Sequence, residues 1–146
     1  MSLQIQKMWI VIGLAGVMGA LSRWCISFLT EYILALPIFV DTIIVNVLGC
    51  FVLGLVLQMV PTNETLRVHM KDISAGFIGS FTTFSTFIAD SYLLLLVSHP
   101  FIPGTLIMGH VLLGLIGFQL GLRTVKKRKF QTESPTEPTI SSRIPK

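Results

Sequence analysis

Long apolar stretches separated by short polar breaks dominate this chain. Four are long enough to cross a bilayer core of about 30 Å, which takes about 20 helical residues. The first runs from about Trp9 to Tyr32, the second from about Thr42 to Val60, the third from about Ile73 to Val97, and the fourth from about Gly104 to Leu122. Hairpin-like loops are predicted between them at Pro37, at Pro61-Thr62-Asn63, and at His99-Pro100 with Pro103-Gly104. Segments of this length suit helices, because in hydrocarbon each backbone polar group must be paired internally and barrel strands are far shorter. Gly13, Gly16, Gly19 and Ala20 in the first stretch, and Gly114, Gly117 and Gly121 in the fourth, mark faces where helix backbones can approach closely.

Composition agrees with that pattern. Of 146 residues, 52 % are hydrophobic and 12 % charged, about half the charged share usual for a soluble domain, and the mean hydropathy is +0.78. Residues 1–130 read as one four-span unit. From Gln131 onward Ser, Thr and Pro dominate, which predicts a disordered tail. The start, MSLQIQKMW, enters the first apolar stretch without a small-residue cleavage site, so that stretch reads as a retained helix. Cys25 and Cys50 lie in apolar runs with no metal-ligand spacing, and are expected to act as small packing residues. No nucleophile–base pairing is visible, so the chain does not read as an enzyme.

Charge sets the orientation. With four spans, the N-terminus, the middle loop and the C-terminus share one side. That side carries Lys7, Arg67, Lys71, Arg123, Lys126, Lys127, Arg128 and Lys129, whereas the loops 33–41 and 98–103 carry no Lys or Arg. Eight against none predicts that both termini are cytoplasmic. The run Lys126–Lys129 is then an orientation signal and a contact for anionic lipid, with no need of nucleic acid.

Polar side chains inside the spans are the candidate chemistry. At about 1.5 Å per helical residue, Arg23 lies about 21 Å from the cytoplasmic side. Phe87 lies at a similar depth. Asn46 and His110 lie about 6 Å and about 9 Å in from the outer side. All four therefore fall in the outer half of the bilayer. A buried arginine needs a wet cavity or a partner such as Glu31 or Asp41. His110 shares a helical face with Gly114, Gly117 and Gly121, which places it against protein. Asp90, in the outer third of the third span, suits a capping or hydrated role.

The third span contains GFIGSFTTFSTF, residues 76–87. Phe77, Phe81, Phe84 and Phe87 would form a stripe along one side of a helix. Five of the seven residues from Ser80 to Thr86 carry a hydroxyl, and such residues compete for backbone hydrogen bonds. A break in mid-membrane is expected, tolerable where it is buried in protein or lines a cavity. It would offer hydroxyl donors to an anion, freed carbonyls to a cation, and the positive edges of phenyl rings to a small anion.

This motif closely resembles the signature of the Fluc (CrcB) fluoride channels, and the likeness extends along the chain through GLAGVMGALSRW, IVNVLGCFVLG and LLGLIGFQLG. The resemblance implies a small all-α membrane subunit of four spans that pairs antiparallel with a second subunit and lets fluoride leave the cytoplasm through two pores. It implies a fluoride path beside Phe84 and Phe87, with Asn46 in the pore, Arg23 in the vestibule, and Thr83, Ser85 and Thr86 in the hydroxyl-rich break. It also implies a structural sodium ion held by the Gly79 and Thr82 carbonyls of both subunits. Ser80, Asp90, His110 and Leu106 depart from the family pattern, which has Gly, Glu, Ser and Tyr there. His110 therefore stands at a pore position.

Two other readings compete. A pore-degenerate partner subunit would explain His110 and Leu106. A small multidrug exporter would need a carboxylate in the first span, where the chain has Arg23 and no acid before Glu31. The charge bias also favours a heterodimer with a homologous chain of opposite bias over a homodimer.

Overall fold

The computed structural model describes residues 3–37, 39–59, 61, 63–98 and 101–124, so the basic run at 126–129 and the predicted tail lie outside the described residues. Every regular element in it is helical: α1 (Leu3–Phe28), α2 (Phe39–Gln58), α3 (Glu64–Phe81), α4 (Phe84–Val97) and α5 (Phe101–Thr124). They form four segments long and apolar enough to cross a membrane, Gln6–Ile33, Phe39–Gln58, Glu64–Val97 and Phe101–Thr124.

The ends of the helices follow local chemistry. Beyond α1 the chain widens into a five-residue π-turn, Leu29–Ile33, where the Leu34 N–H donates to the Leu29 carbonyl at 3.0 Å. Ala35 then takes a positive φ of 49°, which turns the chain toward Pro37. The helix of the third segment starts well before Ile73. Asn63 caps it, its Oδ1 accepting from the N–H groups of Thr65 (2.9 Å) and Leu66 (3.4 Å), and an ion pair joins Glu64 to Arg67. Hydropathy finds the apolar part of such a helix, whereas the cap decides where it begins. Pro103-Gly104, expected in a loop, lies inside the first turn of α5 instead. Proline is tolerated there because its missing N–H would have had no helical partner.

Two close helix pairs organise the chain, α1 on α3 and α2 on α5. Glycine makes both possible. A Cβ at Gly19 would strike the carbonyl oxygen of Phe77, and one at Gly76 that of Ile12. In the other pair, a Cβ at Gly54 would strike the Phe118 carbonyl, and one at Gly121 the Phe51 carbonyl. Gly13 belongs to neither contact, having open space around it.

The apolar core is small. Val45 and Phe81 are the buried hydrophobic side chains among the described residues, while Trp9, Leu14, Trp24, Leu96, Phe101 and many others face outward. In water such a surface would be unsustainable. Here backbone proximity does what an oily core does in a soluble domain.

Replacing Gly121 by Ala should therefore lower stability by about 1–3 kcal/mol, since a methyl there meets backbone and not a yielding side chain. Gly109→Ala, where the space is open, should behave as wild type. Thermal unfolding of the two variants in detergent checks this.

A candidate ion pathway at the junction of α3 and α4

Thr82 and Thr83, between α3 and α4, are extended, with φ/ψ of −78°/158° and −143°/121°. The Asn46 amide from α2 holds this joint. Its Nδ2 donates to the Thr83 carbonyl at 3.0 Å, and its Oδ1 accepts from the Thr83 N–H at 2.9 Å. The second bond takes the N–H that would have closed the next helical turn onto Gly79. The first gives the Thr83 carbonyl a partner within protein. Gly49, one turn along α2 from Asn46, leaves room for the Thr82 methyl, which a Cβ there would strike.

The hydroxyls are largely engaged. The Thr82 hydroxyl donates back to the Ile78 carbonyl at 2.9 Å. Thr83 caps α4: its Oγ1 accepts from the Thr86 N–H at 3.2 Å and donates to the Thr86 Oγ1 at 2.9 Å, with the Ser85 Oγ at 3.4 Å. Ser85 is exposed and Thr86 half-buried, and no acceptor among the described residues takes the Thr86 hydroxyl proton. The hydroxyl-rich sequence therefore acts first as a set of caps, with Ser85 and Thr86 the hydroxyls left able to meet a ligand.

The aromatic stripe divides at the joint. Phe77 and Phe81 stack at 5.5 Å between ring centroids, and Phe81 is buried. Phe84 and Phe87 form a separate tilted pair at 5.9 Å, and Phe84 is 75 % exposed. Phe87 is also 4.5 Å from the His110 ring.

These groups meet in one cavity of about 390 Å³, lined by residues of α2, α3, α4 and α5 together with the joint. Asn46, Thr82, Thr83, Phe84, Phe87 and His110 all line it, so Asn46, Phe87 and His110, which residue counting sets at similar depth, share one cavity. Arg23 does not line it. Arg23 is half-buried on α1, with no ion pair to Glu31 or Asp41. Gly79 lies outside the lining too, exposed, with open space where a Cβ would stand. Cys50 lines the cavity and its Sγ packs 3.4 Å from where a Cβ on Gly114 would be, whereas Cys25 is exposed and packs little.

His110 is 9 % exposed. Its Nδ1 donates to the Leu106 carbonyl at 3.1 Å, and its Nε2 has no hydrogen-bond partner among the described residues. The face it shares with Gly114, Gly117 and Gly121 is buried, as the spacing predicts.

A second polar group was missed in the sequence. Asp90 is neither a cap nor hydrated: it is 4 % exposed and accepts from the hydroxyl of Thr42, itself 1 % exposed, at 2.7 Å. Asp41 extends the group, accepting from the Ser27 hydroxyl at 2.6 Å and the Thr42 N–H at 2.7 Å. Nothing local to Asp41 or Thr42 marks this group, since the Thr42 hydroxyl reaches a residue 48 positions away.

The site combines two helix ends. α3 presents its last carbonyls at the joint, and α4 presents its first amides, so one side carries negative and the other positive partial charge. The family model described as "CrcB-like protein, Camphor Resistance (CrcB)" matches residues 10–122. The chain belongs to the CrcB family. A fluoride-specific ion channel FluC from Dehalococcoides mccartyi is 36 % identical over 113 residues, 77 % of this chain and 87 % of the relative. The fluoride-specific ion channel FluC 1 of Bacillus cereus is 31 % identical over 127 residues, 82 % of this chain and 90 % of the relative. FluC from Vibrio campbellii is 36 % identical over 118 residues, 77 % and 93 % of the two chains. Family membership sets the exporter reading aside.

Asn46→Ala would leave both Thr83 backbone groups unpaired inside the CrcB subunit. A loss of about 1–3 kcal/mol is expected for each, with faster amide exchange at residues 79–86. Hydrogen exchange on the purified protein reads it directly.

Proposed function

We propose that this chain is a subunit of a multi-pass fluoride channel that lets fluoride leave the cell passively. The observation that carries the reading is the cavity in which the Phe84–Phe87 pair stands beside Asn46 and the N-terminus of α4, in a chain whose relatives carry the name fluoride-specific ion channel. Ring edges and helix N-terminal amides both favour a small anion without a fixed full charge. Ser85 and Thr86 add hydroxyl donors, and Arg23 supplies a positive potential at the vestibule, outside the cavity.

The joint at Thr82–Thr83 is the mid-membrane break of this reading. Its tolerance rests on the Asn46 bonds, since non-helical backbone at that depth needs protein partners. Two subunits pair antiparallel, with both termini of this chain cytoplasmic. The exposure of Phe84 and Gly79 supports a partner surface there. The charge bias of eight against none supports a heterodimer, this chain being the half of fixed orientation. The departure at His110 supports unequal pores, with this chain's own pore the weaker one as the second reading.

A structural sodium ion fits the residues at the centre. The Thr83 N–H is diverted to Asn46, which leaves the Gly79 carbonyl without its helical partner, and the extended Thr82 turns its carbonyl out of the helix. Gly79 and Thr82 carbonyls, with those of the partner, would form an all-oxygen set for a hard monovalent cation. Bound there, the ion would tie two subunits together and offset the joined C-terminal partial charges of two helices.

In the cell this chain alone should export little fluoride, whereas liposomes reconstituted from detergent, where either orientation is open to it, should release fluoride and retain chloride. Phe84→Ile with Phe87→Ile, which keeps apolar volume and removes the ring edges, should cut fluoride release at least tenfold, a loss of about 1.4 kcal/mol in transition free energy or more. Equal flux in wild type and double variant would overturn the ring-edge account. A C-terminal reporter active on one side of the membrane tests orientation: signal from both sides would exclude the heterodimer.

A further inference from the structure

His110 holds a nitrogen that nothing in the described structure satisfies. The Leu106 carbonyl can only accept, so the bond at 3.1 Å requires the proton on Nδ1. Neutral His110 then has a bare lone pair at Nε2. That atom is buried and unpartnered, and the ring lines the cavity beside Phe87. A lone pair there repels an anion. A proton on Nε2 reverses this, turning the same atom into a charged donor in a cavity walled by apolar surface, where a charge-assisted hydrogen bond is strongest.

We propose that the cavity takes up fluoride together with a proton, with His110 Nε2 as the atom that carries the proton and donates it in a hydrogen bond to the anion. The balance is simple: neutral imidazole, one proton and one fluoride give an imidazolium–fluoride pair, with no net charge added to the cavity. The inference rests on the fluoride-channel reading for its anion, and on His110 alone for its proton.

The surrounding charges allow it. α5 packs on α2 and α4. α4 brings Asp90, which is buried and accepts from the Thr42 hydroxyl, and Tyr92, which is exposed. α2 brings Cys50 in the same cavity and Asp41, which is engaged by Ser27 and Thr42. α5 itself carries Arg123 in its last turn, three helical turns or more from His110. The acidic groups of these elements are thus Asp41 and Asp90, each already engaged by hydroxyl or amide donors. No cation among the described residues of these elements stands close to oppose a charged ring.

The test uses the full chain in two measurements. In liposomes at equal pH on both sides, fluoride release is compared at about pH 6 and about pH 8, either side of the usual histidine value of about 6.5, with protein-free liposomes subtracted for hydrogen fluoride leakage. In weakly buffered detergent solution near neutrality, sodium fluoride or sodium chloride is added and proton uptake is read with an indicator dye. Wild type should release fluoride on the order of tenfold faster at the lower pH, and should take up protons with fluoride but not chloride. His110→Gln keeps a donor without titration and should lose both the pH slope and the uptake; His110→Ser serves as the second variant. Fluoride release with no pH slope, or with the same slope in both variants, overturns the proposal and leaves the channel reading standing. Proton uptake without fluoride release supports the site and overturns the channel reading. Neither uptake nor release overturns both.

Discussion

Two hydrogen bonds made by one side chain hold the joint between α3 and α4 together. Asn46 meets the N–H and the carbonyl of Thr83 as a neighbouring strand would. Without it, the chain would either continue as helix or leave buried backbone groups unpaired. A continuous helix would keep its carbonyls internal and bury the first amides of α4. The interruption is therefore sustained from outside, by a residue of a different helix, and the helix α2 must be placed correctly before the joint can exist.

That dependence orders the rest. α2 is placed by α5, through Gly54, Gly117 and Gly121, and α3 is placed by α1 through Gly19 and Gly76. The joint forms where these two pairs meet. Asn46 anchors its polar side, Gly49 makes room for the Thr82 methyl, and Thr83 starts α4 with its own hydroxyl. His110 arrives on the same face of α5 as the contact glycines, so the surface that packs α5 also carries a polar group into the cavity.

Much of this was legible in the sequence, for identifiable reasons. The four segments follow from length and hydropathy, because the lipid imposes one solution on apolar stretches of that size. Asn46, Phe87 and His110 could be set at one depth by counting residues, because helical rise is nearly constant. Counting gives depth and not azimuth, which is why Arg23, at a suitable depth, proved to lie away from the cavity. The Asp90–Thr42 bond was out of reach for the same reason: it joins two helices across the chain, and nothing local marks it. The hydroxyl cluster was visible but not its use. Free donors and caps have the same composition, and backbone geometry alone decides between them. The early start of α3 and the inclusion of Pro103 in α5 follow from capping rules that a hydropathy window ignores.

The scarcity of buried hydrophobic side chains, Val45 and Phe81 among the described residues, bears on how this fold responds to temperature. In soluble domains a large heat-capacity increment, from apolar surface newly hydrated on unfolding, bends the stability curve and weakens the fold in the cold. Helices that separate within a bilayer exchange protein contacts for lipid contacts, and little of that surface meets water. Such a fold should have a small increment and a stability that varies almost linearly with temperature, so chilling would not loosen it. Its cold limit would then be set by the fluidity of the surrounding lipid and not by the hydrophobic effect.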